Sequence, residues 1–122
     1  MNNSTPSHFD LNHRVILITG GAGLLGNQHA EAIAEINGVP VLLDIDPIKA
    51  EQVAKKIQHK YDVPSLGLHC DVTSEESVKA VLKKVLSKFN QVSGLINNAA
   101  NNMKMQEGDP VPPTQLEMFP LE

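Results

Sequence analysis

The sequence contains no run of Lys and Arg, no long apolar segment and only one cysteine, Cys70. Its 14 acidic residues outnumber its 10 basic ones and give a formal net charge of −4, so the basic footprint that a nucleic-acid backbone requires is missing. A lone cysteine cannot form an internal disulfide, and no stretch reaches the ~18 apolar residues of a membrane-spanning helix. We therefore expect neither a nucleic-acid partner nor a membrane span.

Aromatic residues are also scarce, with one Tyr, three Phe and no Trp. The 122 residues, 41% hydrophobic and 20% charged, have the composition of one ordinary globular domain. His59 and His69 lack partners at metal-ligand spacing, so no metal site is predicted. The N-terminal stretch 1–14 has no apolar segment resembling a secretory signal, and with the single cysteine this predicts a cytoplasmic protein.

Short apolar runs alternate with helical patterns along the chain. Strands are predicted at 15–19, 39–43, 66–70 and 92–97. Helix faces that contact a core are predicted from Leu25, His29, Ile33 and Ile36, from Ile48, Val53 and Ile57, and from Val78, Val81, Leu82, Val85 and Phe89. This alternation predicts parallel strands joined by right-handed crossovers. The expected fold class is α/β, a Rossmann-type doubly wound parallel sheet that is incomplete, with about four strands and three helices.

Local signals indicate where two of these helices begin and where one strand is constrained. Asp46 before Pro47 is typical of a helix N-terminus. Thr73 and Glu76 match the capping-box pattern at the start of the third helix. Pro40 interrupts the second strand, so it must lie where the sheet needs no backbone donor.

The segment GAGLLG, residues 21–26, matches G-x-G-x-x-G between the first predicted strand and the first predicted helix. Glycines at this spacing allow a tight turn, a close approach of the backbone to a pyrophosphate and close packing of the helix on the strand. The helix N-terminus then presents unpaired N–H groups to the phosphates. The segment therefore predicts a dinucleotide-binding turn, with an ordinary glycine-rich turn as the alternative.

Asp44 follows the second predicted strand, about 20 residues beyond the turn, where dinucleotide-binding domains place an acid that accepts hydrogen bonds from the adenosine ribose. Its charge would repel a 2′-phosphate, and the next residue, Ile45, is not a cation that could bind one. The expected cofactor is NAD, and NADP is disfavoured. The alternative is that Asp44 only caps a neighbouring helix.

Thr19 and Gly20 before the turn, together with the later segment NNAA at 97–100, complete a pattern that resembles the short-chain dehydrogenase/reductase family. The resemblance extends from about residue 14 to residue 122. It implies hydride transfer between a nicotinamide cofactor and a carbonyl or alcohol substrate, and it places Asp71 and Val72 where the family contacts adenine. The cofactor-binding residues that it implies are Thr19, Gly20, Gly21, Gly23, Leu24, Leu25, Gly26, Asp44, Ile45, Asp71, Val72, Asn97, Asn98, Ala99 and Ala100.

Leu24 departs from the main branch of that family, which has glycine at this position. The spacing T-G-x-x-G-x-x-G over residues 19–26 is similar to the extended branch, which includes sugar-nucleotide epimerases and dehydratases. A sugar-nucleotide enzyme of that branch is therefore one alternative. A non-catalytic nucleotide-binding module is the other.

The family's catalytic Tyr, its Lys four residues later and its Ser have no identifiable counterpart here. Tyr61 is the only tyrosine, Ser65 stands four residues after it, and both precede the third predicted strand. The resemblance thus implies an NAD-binding half-domain at 14–100, between a flexible tail at 1–13 and a loop at 101–122 that leads toward an absent catalytic half. From such a fragment alone we expect no useful dehydrogenase activity, and we expect association through an exposed sheet edge.

Overall fold

The structure, a computed structural model, describes residues 9–98 and shows one four-stranded sheet with three helices. The elements are β1 Val15–Thr19, α1 Leu24–Glu35, β2 Val39–Asp44, α2 Pro47–Tyr61, β3 Leu66–His69, α3 Glu75–Phe89 and β4 Gly94–Asn97. All paired strands are parallel, in the order β3-β2-β1-β4. The predicted α/β fold class is confirmed. Ala99, Ala100, the segment 101–122 and most of the 1–13 tail lie outside the described residues.

The core of the domain lies on both faces of β1 and β2. On one face Ile18 and Leu42 pack with α1 and α2. On the other face Leu17 and Val41 pack with α3. All four of these side chains are fully buried, as expected for central strands of a parallel sheet covered by helices on both sides.

The core-facing side of α1 differs from the predicted one. Its buried residues are Gly26, Ala30 and Ala34, whereas Leu25 is 54% exposed. The other predicted residues, His29, Ile33 and Ile36, are only half-buried. The prediction is wrong by one position because small residues, spaced four apart, let this helix lie directly against the strands.

A similar correction applies to α2. Ile57 is buried as predicted, but Ile48 is 69% exposed, and Ala50 and Ala54 face the core instead. A Cβ at Gly67 of β3 would overlap the backbone of Ala50. The helix therefore lies too close to β3 for larger side chains to fit between them.

Pro40 lies in β2, a central strand, and its side chain is fully buried. The ladder with β3 begins one residue later, where Val41 pairs with Leu66. The Ser65 hydroxyl donates to the Pro40 carbonyl at 2.8 Å. As predicted, the proline stands where the sheet needs no backbone donor.

The third helix has the predicted core face but a different first turn. Val78, Val81 and Val85 are buried, while Leu82 and Phe89 pack against the same core. Its N-cap is Ser74, whose side chain accepts from the Ser77 N–H. The capping box of Thr73 and Glu76 is therefore wrong: the Thr73 hydroxyl donates to Asp71 at 2.6 Å and does not cap the helix.

Candidate cofactor site

Four strand ends bring most of the predicted site residues to one edge of the sheet. Thr19 of β1 is in register with Leu43 of β2 and Asn97 of β4, and Asp44 is in register with His69 of β3. The glycine turn, Asp44, Asp71 and Asn98 all follow at this edge. In open parallel sheets this edge is where ligands bind.

The turn between β1 and α1 depends on glycine at three positions for three different reasons. Gly20 has φ = 64°, in the left-handed region that favours glycine. A Cβ at Gly21 would lie 2.7 Å from Cβ of Leu42. A Cβ at Gly26 would overlap the Gly20 carbonyl oxygen and lie 2.7 Å from Cα of Gly21. The turn and the first helix are therefore packed backbone against backbone.

Gly23 differs from the other glycines because its missing side chain leaves open space. It is exposed, has extended backbone at φ −80° and ψ 174°, and would bring a Cβ only into ordinary contact, 3.5 Å from Gly20 O. Its position is the N-cap of α1. No packing contact within the described structure requires glycine here. A ligand that approaches the backbone closely would require a residue without a side chain at this position.

The N-terminus of α1 has the properties of an anion-binding site. No side chain caps it, and its first turn carries no acidic residue. The first N–H groups of a helix lack intrahelical partners and carry a partial positive charge. Leu24 and Leu25 in this turn are 80% and 54% exposed, so the turn opens to solvent. Phosphate groups fit this arrangement.

Asp44 lies where the sequence predicts it, directly beside the turn. Its Oδ2 accepts from the Ala22 N–H at 3.0 Å and its Oδ1 from the Asp46 N–H at 2.9 Å. Ile45, the next residue, is 64% exposed. The carboxylate thus connects the glycine turn to the start of α2, a connection that sequence reasoning did not anticipate.

A buried hydroxyl connects the turn to β4. Thr19 is fully buried, and its Oγ1 accepts from the Asn98 N–H at 2.9 Å and lies 3.1 Å from Asn97 Oδ1. The Asn98 side-chain amide donates to Gly20 O at 3.4 Å. Sequence reasoning placed these residues near the cofactor but missed their mutual contacts. A threonine ending an otherwise apolar buried strand was the available signal.

Replacing the Thr19 hydroxyl is expected to destabilise the fold. Thr19→Val keeps the shape but removes the hydrogen bonds of the buried hydroxyl to the Asn98 N–H and to Asn97 Oδ1, which together cost about 2 kcal/mol of unfolding free energy. Urea denaturation followed by circular dichroism measures this loss. Thr19→Ser is the matched control: it keeps the hydroxyl and loses one methyl group, worth about 1 kcal/mol. A valine variant as stable as the wild type would contradict the assigned role.

Asp71 and Val72 lie after β3, at the same sheet edge. The Asp71 carboxylate accepts from the hydroxyl of Thr73 at 2.6 Å and from its N–H at 3.0 Å. These two hydrogen bonds hold the pKa of Asp71 below its ordinary value, so the group is charged at neutral pH. Val72 is half-buried and packs against the core. Asp71 therefore shapes its own turn, whatever it binds.

Tyr61 lies away from this edge, at the end of α2. Its hydroxyl donates to Glu31 of α1 at 2.7 Å, and Lys60 forms an ion pair with the same carboxylate at 2.8 Å. Desolvation, followed by the hydrogen bond to Glu31, raises the pKa of the Tyr61 phenol. An acid–base tyrosine needs the opposite shift. The residue instead joins the two helices.

Residues 9–98 contain neither a metal-binding cluster nor a membrane-spanning helix. No group of three or more His, Cys, Asp and Glu side chains in this part of the chain could hold a metal ion. Within the same residues, none of the helices is long and apolar enough to cross a membrane.

Comparison with known proteins shows the family to which the chain is similar. The profile of the family described as short chain dehydrogenase matches residues 14–116. An NADP-dependent 3-hydroxy acid dehydrogenase from Schizosaccharomyces pombe is 33% identical over 90 residues, which are 73% of this chain and 35% of that enzyme. The chain therefore spans about a third of the length of this curated relative.

Two solved structures share the fold. A hydroxysteroid dehydrogenase from Escherichia coli has a TM-score of 0.76 at 26% identity, covering 87% of this chain and 45% of that one. The structure of an NAD+-bound xylitol dehydrogenase has a TM-score of 0.69 at 30% identity, covering 75% of this chain and 35% of that one. In both comparisons the matched part is less than half of the other protein's chain.

Proposed function

The chain belongs to the short-chain dehydrogenase family, and we propose that its residues 14–100 bind a nicotinamide dinucleotide for hydride transfer between that cofactor and a small carbonyl or alcohol substrate. The cofactor supplies the hydride chemistry. The residues described above bind and orient it. The proteins compared above are named dehydrogenases, which supports hydride transfer over the epimerase and dehydratase alternatives.

One observation carries the proposal: the open, uncapped N-terminus of α1 lies directly after a turn whose backbone is exposed at Gly23. A pyrophosphate placed there meets N–H groups and the positive end of the helix without displacing any side chain. Asp44 is fixed beside the same turn by its bond to the Ala22 N–H. A dinucleotide that lies across the turn brings its adenosine ribose toward this carboxylate.

The remaining contacts of the cofactor follow from the same sheet edge. We assign the adenine side to Asp71 and Val72 after β3, and the nicotinamide side to the segment 97–100 after β4. Leu24 and Leu25 offer exposed apolar surface at the turn. These assignments follow the order of the strands, in which β3 and β4 lie on opposite sides of the turn.

NAD is the cofactor we propose, in preference to NADP. The Asp44 carboxylate repels a 2′-phosphate, and the exposed Ile45 offers no charge to bind one. The relatives use both kinds of cofactor: the S. pombe enzyme is named NADP-dependent, and the xylitol dehydrogenase structure holds NAD+. The preference therefore depends on this chain's own residues.

Titration of the 122-residue chain with NADH tests the proposal. We expect binding by the wild type that is tighter for NADH than for NADPH. Asp44→Ala removes the ribose acceptor and weakens NADH binding by about tenfold. The ratio of NADH affinity to NADPH affinity should fall as well. Gly23→Val places a side chain over the exposed turn and abolishes detectable binding. Fluorescence or calorimetric titration measures the affinities of the wild type and of both variants.

The position of Gly23 keeps this test independent of folding. Its Cβ would make only an ordinary contact, so Gly23→Val is expected to retain the wild-type circular dichroism spectrum. Loss of binding by a folded variant then reports on the site itself. Unchanged NADH affinity in both Asp44→Ala and Gly23→Val would refute the site assignment.

A further inference from the structure

The two oxygens of Asp44 each hold a backbone N–H from a different segment. Oδ2 holds Ala22, in the middle of the glycine turn, and Oδ1 holds Asp46, the N-cap of α2. The carboxylate is part-buried in both hydrogen bonds. It therefore bridges two loops of the protein itself, in addition to the ribose contact that an acid at this position makes in dinucleotide-binding domains.

The bond from Asp44 to the Ala22 N–H lies in the middle of the turn. The residues on either side are held by backbone carbonyls: the Gly21 N–H donates to Leu43 O and the Gly23 N–H to Gly20 O, each at 3.1 Å. Between them, the Ala22 N–H donates to a side chain. Ala22 immediately precedes Gly23, the N-cap of α1, so the orientation of its peptide affects where the first N–H groups of the helix point.

We propose that Asp44 is a positioning residue for the pyrophosphate turn, and that its carboxylate holds the turn in the phosphate-binding conformation before the cofactor arrives. This inference rests on the proposed function and adds to it a second role for Asp44, independent of the ribose. If only a fraction of the molecules hold the competent turn, the apparent affinity for any phosphate ligand falls by that fraction. Loss of the carboxylate therefore weakens even ligands that have no ribose hydroxyl.

Alanine separates the two roles when the ligand is a nucleotide without ribose hydroxyls. Its methyl group accepts neither the Ala22 N–H nor the Asp46 N–H, whereas the Oδ1 of an asparagine could still accept the Ala22 N–H. Asp44→Ala also removes a negative charge close to an anionic ligand, and that change alone would raise the affinity. A fall in affinity for a nucleotide without ribose hydroxyls thus has the opposite sign to the charge effect.

Asp46→Asn provides the matched control. It removes a charge two residues away at the same edge, while its backbone N–H remains available to Asp44. Asparagine caps helices about as well as aspartate does, so the bond to the Lys49 N–H is retained. This variant reports the charge effect without changing the bond to Ala22.

The experiment compares ADP with 2′,3′-dideoxyadenosine 5′-diphosphate, which lacks both ribose hydroxyls, by calorimetric titration. We expect Asp44→Ala to weaken the dideoxy nucleotide about tenfold, which corresponds to a turn that is competent in about a tenth of the molecules. Asp46→Asn should bind it as tightly as the wild type or more tightly. Dideoxy affinity that is unchanged or increased in Asp44→Ala, with ADP affinity reduced, would overturn the inference and leave the proposed function intact.

Amide hydrogen exchange without ligand gives an independent measurement. In Asp44→Ala, which has no acceptor for the Ala22 N–H, the Ala22 amide should exchange faster, while the Gly21 amide, bonded to Leu43 O, keeps its protection and serves as the internal control. Equal protection of Ala22 in the wild type and in Asp44→Ala would contradict the inference. A wild type that binds neither nucleotide nor NADH would instead overturn the proposed function, and the inference with it.

Discussion

Gly26→Ala is expected to lower the free energy of unfolding by about 2 kcal/mol, although alanine is the better helix former. The change gains about 1 kcal/mol of helix propensity. Against this, the new Cβ would overlap the Gly20 carbonyl oxygen and lie 2.7 Å from Gly21 Cα. Overpacking of this kind typically costs about 1–3 kcal/mol and sometimes more. Both neighbours are backbone atoms of one constrained turn, so the clash outweighs the propensity gain.

Gly23→Ala in the same motif is the matched control for this prediction. Its Cβ would lie 3.5 Å from Gly20 O, and its backbone is extended. The N-cap preference for glycine over alanine limits the expected loss to less than about 1 kcal/mol. Urea denaturation of both variants measures the difference. Equal unfolding free energies would show that the turn does not pack as described.

The close packing at Gly26 also has a functional consequence. Because the helix backbone lies against Gly20 and Gly21, the first turn of α1 begins directly above the end of β1. The N–H groups of that turn therefore lie at the sheet edge occupied by Asp44 and Asn98. The same contact that stabilises the fold thus places the uncapped N-terminus of the helix beside the Asp44 carboxylate.

The strands and α3 could be predicted because large apolar side chains carry their contacts. The run VILIT became β1 without a change of boundary, and the valines of α3 face the core as expected. The core faces of α1 and α2 could not be predicted in the same way. Alanine and glycine make those contacts, and a search for hydrophobic periodicity gives little weight to small residues. It assigned the larger neighbours to the core instead.

Only part of the candidate site could be predicted from the sequence, namely the part that depends on local motifs. The spacing of the glycines and the position of Asp44 at the end of β2 could be predicted, because both depend on short stretches of sequence. The bonds from Asp44 to Ala22 and from Thr19 to Asn98 join residues far apart in the chain. They depend on the register of parallel strands, which local patterns do not determine.

Gly67→Ala is expected to destabilise the domain by about 3 kcal/mol, at a glycine that no motif marks. A Cβ there would overlap the Ala50 carbonyl group and lie 2.5 Å from the Glu51 nitrogen. These are backbone atoms inside α2, so they can yield only if the whole helix moves away from β3. Because Asp46 caps this helix and is held by Asp44, the movement would also disturb the ribose side of the site. Urea denaturation and NADH titration measure the two effects.

Gly94→Ala tests whether this cost is specific to the contact with α2. Gly94 is also a strand glycine, in β4, and its Cβ would lie 3.1 Å from Cδ1 of Ile16. That atom is the end of a flexible side chain that can rotate away, so we expect a loss below about 1 kcal/mol. If both variants lost the same stability, the loss at Gly67 would not be specific to the contact with α2. A loss confined to Gly67→Ala would show that the separation of α2 and β3 is fixed by a residue without a side chain.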